Sequence, residues 1–176
     1  SITFHSKNNI LGRLDEFNNF ELYTDNAEFA QSMERKLNIT SKVVNRAYLV
    51  VKECYGEVKF PLKISGEWCG QGIQKGVGIS YLPKKSFFIF GIKSGDTNQD
   101  DKSGWVNTEL CSKLTCEQTH STGIYAITDF PYKTISIDFN NPEDSQNDLV
   151  KYTEEVEDCC PVAKALNLKD EAGIPQ

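Results

Sequence analysis

Hydrophobic and polar positions change rhythm several times along this chain. Ile2 and Phe4 alternate with Thr3 and His5, the period of a strand with one buried face, and residues 6–9 then turn. Residues 12–24 are rich in Asn, Asp and Glu with scattered aromatics (Phe17, Phe20, Tyr23), a pattern that predicts an irregular, partly packed loop. Asp25 and Asn26 suit the cap of a helix in which Ala30, Met33 and Leu37 recur at helical spacing, with Glu28 and Glu34 on its polar side. Thr40 and Ser41 open a second helix. Its buried stripe is predicted as Val43, Ala47, Val50 or Val51, and Cys54, and Gly56 stops it.

The period then shifts back to two. Val58, Phe60, Leu62 and Ile64 alternate with Glu57, Lys59, Pro61 and Lys63, which predicts a strand. Residues 86–93 are apolar at consecutive positions, as in a central strand buried on both faces. A polar loop follows at 94–104, a short strand at Trp105 and Val106, and two more strands at 124–127 and 134–139, parted by a turn at 130–132. The last helix has the clearest start. Asn141 caps it, Pro142 takes the first helical position, and Glu143 and Asp144 sit at its positive end. Leu149, Tyr152 or Thr153, and Val156 form its predicted inner stripe, and Pro161 ends it. Two helices, four to six strands and a closing helix predict a mixed α+β domain spanning residues 1–176.

Composition narrows the class without choosing a function. The 176 residues suffice for one core, and no apolar run approaches the roughly 18 residues of a membrane span. No basic-plus-apolar leader opens the chain, and no cysteine forms a C-x-x-C pair or a metal-ligand spacing with His5 or His120. Reduced thiols in an intracellular, cytoplasmic protein are the expectation. The net charge of -6 does not advertise a nucleic-acid binder. Lys59, Lys63, Lys75, Lys84, Lys85 and Lys93 do gather around one stretch, where they read as a solvated face.

That stretch runs from Gly66 through Glu67, Trp68, Cys69, Gly70, Gln71, Gly72, Ile73, Gln74 and Lys75 to Gly76, with four glycines in eleven residues. Glycine allows a backbone to approach a ligand, and a carboxylate set between glycines can receive a ligand's hydroxyls. The aromatic run Phe87, Phe88, Phe90 that follows can offer a ring face to a flat base. The block resembles the nucleotidyltransferase motif of ATP-dependent RNA ligases of the phage and kinetoplastid-editing type. There a GE-x-x-G-x-GIQK segment precedes an F-F/Y-x-F strand. The resemblance covers most of the chain. It implies an RNA-ligase-type adenylation domain, a nucleotidyltransferase (ATP-grasp-like) core of antiparallel sheets with flanking helices. ATP or AMP, RNA ends and Mg2+ would be its ligands, and no membrane partner is implied.

Carried over residue by residue, the resemblance gives Glu67 the ribose hydroxyls of the adenylate and Phe90 the stacking face for adenine. Lys7 stands where the family usually has an arginine that contacts phosphates or the RNA end, keeping the charge but not the two-pronged geometry. Gly91 stands where the family strand usually carries aspartate. The family's nucleophile is a lysine in a K-x-D/H-G motif, which becomes a lysyl-adenylate. That motif does not occur here. Lys63-Ile64-Ser65-Gly66 is the nearest pattern and lacks the acidic or histidine third residue, so Lys63 reads as a strand residue. Downstream, Glu171 is followed by Ala172 where the family has an EG pair, and it is not assigned. The expectation is therefore an adenylation domain cut off at both ends, lacking its nucleophile and inactive alone, with no catalytic residue to name. A non-catalytic nucleotide or RNA-end binding module of the same fold is the alternative. A DNA ligase or capping-type enzyme is a third reading, against which the GIQK block argues.

Overall fold

A computed structural model describes residues 1–95, 104–170 and 172–175. Most of the predicted 94–104 loop, and Glu171, lie outside the described residues. The chain is a mixed α+β fold with two three-stranded sheets. The first is a meander of β1 (Ile2–His5), β2 (Ile10–Leu14) and β3 (Phe20–Leu22), antiparallel throughout. It corrects the loop expected at 12–24. Burial of Leu14 and close packing against Gly12 outweigh the polar composition there. A Cβ on Gly12 would stand 2.9 Å from the Phe20 ring and 3.1 Å from Ala30, so α1 lies directly on β2.

Helix α1 (Phe29–Arg35) starts from Asp25, as the sequence predicts, but by a longer reach than a simple cap. The buried Asp25 carboxylate accepts the backbone N–H groups of Phe29 at 2.8 Å and Gln31 at 3.0 Å. Helix α2 (Leu37–Tyr55) begins three residues before the predicted Thr40. Lys36 separates the two helices in a non-helical conformation, and its carbonyl accepts from Ile39 and Thr40. Val43, Ala47, Val50 and Val51 are buried as predicted, whereas Cys54, on the same stripe but in the last turn of the helix, is exposed. Gly56 ends the helix in the left-handed conformation, φ 77°.

The second sheet joins β4 (Leu62–Cys69), β5 (Ser86–Ser94) and β6 (Ile124–Ala126). Strand β4 starts later than the 57–64 alternation predicts and runs on through Gly66, Glu67 and Trp68. The glycine block therefore begins as regular strand, and its turns come only after Cys69. Strand β5 is the central strand, antiparallel to β4 and parallel to β6, so the second sheet is mixed. Both faces of β5 are covered except at Phe90. Ile89 and Ile92 join Val43, Val51 and Leu114 in the main core, and Phe88 joins Cys69, Leu82, Phe130 and Ala163 in a second one. Helix α3 (Glu117–Ser121) leads into β6, and α5 (Pro161–Ala165) covers the second core beside a 3-10 turn, Gly78–Tyr81.

Helix α4 (Pro142–Asp158) starts at Pro142 as expected, but its predicted inner stripe is not inside. Leu149 and Val156 are about half exposed, and only Ser145 is buried. Residues 134–139 form no strand; Ile137 and Phe139 are exposed, and Lys133 links this segment to α4 through Glu155 and the Tyr152 ring. Trp105 pairs with Lys93 only as an isolated bridge. No helix among the described residues is long and apolar enough to cross a membrane.

Candidate functional site

Strand alternation divides the residues of β4 between two surfaces. Ile64, Gly66 and Trp68 face the main core together with Ile92, Ile89 and Phe87, their partners across the β4–β5 ladder. Lys63, Ser65 and Glu67 face the other way, and Glu67 pairs with Phe88, which belongs to the second core. The register slips between Ser65 and Gly66, leaving Phe90 as an extra residue between the pairs Gly66–Ile89 and Ser65–Gly91. Phe90 therefore stands on the Glu67 side as its diagonal neighbour, a relation that sets Cα atoms roughly 7–8 Å apart.

Exposure makes this surface unusual. Phe90 is 42% exposed, while Ile89 and Ile92 on the same strand are fully buried. Beside it the Trp105 ring covers Gly91, where a Cβ would lie 2.7 Å from the indole, and the Lys93 ammonium sits 5.4 Å above that ring. Glu67 is exposed as well. Its charge, together with burial, pushes the Cys69 thiol up to about 11, burial being the larger cause. Glu67 and Phe90 thus emerge on one surface. Lys7 does not join them. It lies exposed in the β1–β2 hairpin of the other sheet, and no hydrogen bond or ion pair links it to either residue.

The glycines of the block do other work than the sequence suggests. At Gly66 a Cβ would stand 2.6 Å from the Phe87 ring, so that glycine admits an aromatic side chain. Gly70 lies against the Lys85 backbone, and Gln74 holds the turn by accepting the Gly70 N–H at 2.9 Å. Only Gly72 and Gly76 open onto free space.

On the other surface, at the Trp68 end of β4, lies a cavity of about 480 Å³. Arg35, Lys36, Lys84 and Lys85 line it, with Glu28 and the Trp68 indole. The α1–α2 break releases Lys36 from the helix, and its ammonium donates to the Thr122 carbonyl at 2.7 Å. Lys84 donates to the adjacent Ser121 carbonyl, also at 2.7 Å. Lys85 pairs with Glu28 at 2.8 Å. Burial, and after it the neighbouring Lys84 charge, brings Lys36 down to about 8. Sequence reasoning noted Lys84 and Lys85 but missed Arg35 and Lys36, because helical spacing gives no sign that the helix breaks between them. Glu67, Phe90 and Lys7 line neither this cavity nor the smaller one at Arg13 and Asp15.

Among the described residues, no three His, Cys, Asp or Glu side chains are grouped so that they could hold a metal ion. Fold and surfaces define a mixed α+β protein with an exposed aromatic-carboxylate surface and a separate cationic cavity. Comparison with family models, curated proteins and solved structures returned no match.

Proposed function

We propose that the Glu67–Phe90 surface binds the adenosine part of ATP or AMP, in an RNA-ligase-type nucleotidyltransferase core that acts on RNA ends. The supporting observation is Phe90, a large exposed aromatic in the middle of an otherwise buried strand, with an exposed carboxylate diagonally across the ladder. A base stacked on that ring would recover the burial that Phe90 lacks. The ribose hydroxyls would then donate to the Glu67 carboxylate, which when ionised only accepts. Trp105 and Lys93 would border the nucleotide, and the role of Lys7 toward phosphates or an RNA end rests on the motif resemblance alone. Magnesium is commonly held by one or two carboxylates and the substrate's phosphates, so it would come with the triphosphate.

A module that binds a nucleotide or RNA end without joining would use the same two side chains. No K-x-D/H-G motif occurs in these 176 residues, and labelled ATP should bind reversibly without leaving an adenylate on the protein. Calorimetric titration with AMP tests the site itself. Glu67→Ala should weaken binding by about 1.5–3 kcal/mol, the scale of hydrogen bonds to a charged group. Phe90→Ala should cost about 1–3 kcal/mol, the scale of base stacking on an aromatic ring. Wild-type affinity in both variants would sink the assignment.

A further inference from the structure

The cationic cavity on the opposite side of β4 holds more positive charge than its carboxylates balance. Among the described residues, only Lys85 of its four cations has an ion-pair partner, Glu28. Lys36 and Lys84 are hydrogen-bonded to the carbonyls of Thr122 and Ser121 at the C-terminal end of α3, which orient them without neutralising them. Each ammonium has three donors, and those carbonyls use one apiece. Arg35 has no carboxylate within ion-pair distance among the described residues. Such a concentration stands out on a chain whose net charge is -6. Two ammoniums anchored on consecutive carbonyls, with a guanidinium on the same cavity wall, suit oxygens that carry closely spaced negative charges.

We infer that this cavity is a binding site for phosphate groups, taken either from a single-stranded oligonucleotide or from a free polyphosphate. Arg35, Lys36 and Lys84 would contact the phosphate oxygens through donors that the Thr122 and Ser121 carbonyls do not use, and Trp68 would flank the bound anion. The assignment does not depend on nucleotide binding at Glu67, since the two surfaces lie on opposite faces of β4. Lys36 supplies a pH signature. With Glu28, Arg35, Lys84 and Lys85 as the charged groups around it, burial and Lys84 bring the Lys36 ammonium down to about 8. Anion affinity should therefore fall as pH rises above about 8.

Two probes test the site by competition against a fluorescein-labelled octathymidylate, read by anisotropy: unlabelled octathymidylate and inorganic tripolyphosphate. With three uncompensated cations engaged, single-strand affinity should fall roughly 18-fold between about 50 and 200 mM salt. The triple variant Arg35→Gln, Lys36→Gln, Lys84→Gln should abolish that salt dependence, Lys36→Gln alone should remove about a third of its slope, and Lys36→Arg should keep it. Tighter binding of octathymidylate would identify a strand as the phosphate source, and tighter binding of tripolyphosphate a free anion; either supports the site. Glu67→Ala should leave both affinities unchanged, which separates failure here from failure of the nucleotide surface. The proposal is overturned if neither probe binds, if the folded triple variant binds as the wild type does, or if hexaglutamate competes as well as tripolyphosphate.

Discussion

Glu67 and Trp68 are neighbours in sequence, yet they serve two different environments. Trp68 is half-buried, its ring 5.4 Å from that of Phe29 in an edge contact and its indole N–H donating to the Ala27 carbonyl at 2.8 Å. Glu67 touches the opposite surface and is exposed. A single strand step separates a residue that ties the second sheet to α1 from one free to meet a ligand. The contrast shows why a dense motif is not one site: strand alternation sends its members to opposite faces.

The largest test of this contrast is stability. Trp68→Ala removes the aromatic contact, the indole hydrogen bond and apolar burial, and should cost about 3 kcal/mol in urea unfolding, at the lower end for a core aromatic because the ring is not fully buried. Glu67→Ala should stay within about 0.5 kcal/mol of wild type, as expected for a surface change away from core, cap or strained backbone. Equal losses in the two variants would erase the distinction between the faces.

A smaller difference separates the glycines. Gly66→Ala would drive a methyl into the Phe87 ring and the Phe88 carbonyl, both 2.6 Å from the Cβ position, and should cost about 1–3 kcal/mol through overpacking. Gly72 has open space around it but a φ of 83°, so Gly72→Ala should cost only the backbone strain, about 1 kcal/mol. Thermal midpoints of the two variants give the order directly. A reversed order would mean that Gly66 is not packed by Phe87 as the structure shows.

How far these features can be read in the sequence depends on what fixed them. The stripe of α2 and the doubly buried β5 were legible, because each is a local period enforced by burial along a whole element. The β2–β3 hairpin was not: its polar composition hides a Leu14 whose burial depends on strands and a helix distant in sequence. The segment at 134–139 failed in the opposite way. Its alternation is genuine, but among the described residues no partner strand pairs with it. Motif spacing singles out Glu67 and Phe90, and strand alternation puts both on one surface. The cavity that joins four cations is not legible, since Arg35 and Lys36 reach Lys84 and Lys85 only through the break between α1 and α2 and the return of the chain before β5.

The smallest effect concerns Lys36 and joins stability to the cavity. Its folded-state pKa of about 8 lies below the ordinary lysine value of 10.5. The protonated form is therefore disfavoured by folding, chiefly through burial and next through the Lys84 charge. The sign follows: below pH 8 the protein bears this cost in full, and the cost disappears as pH rises from about 8 to 10.5. Lys36→Met should thus be stabilised relative to wild type by more at pH 7 than at pH 10. Any constant loss of the Thr122 hydrogen bond cancels in that difference. The effect is modest, because part of the ammonium remains in water. Saturating tripolyphosphate should raise the pKa of Lys36 and flatten the wild-type pH dependence in this range. A wild-type minus variant difference that does not change with pH would show that Lys36 is not held against its charge, and that the cavity lacks the excess positive potential assigned to it.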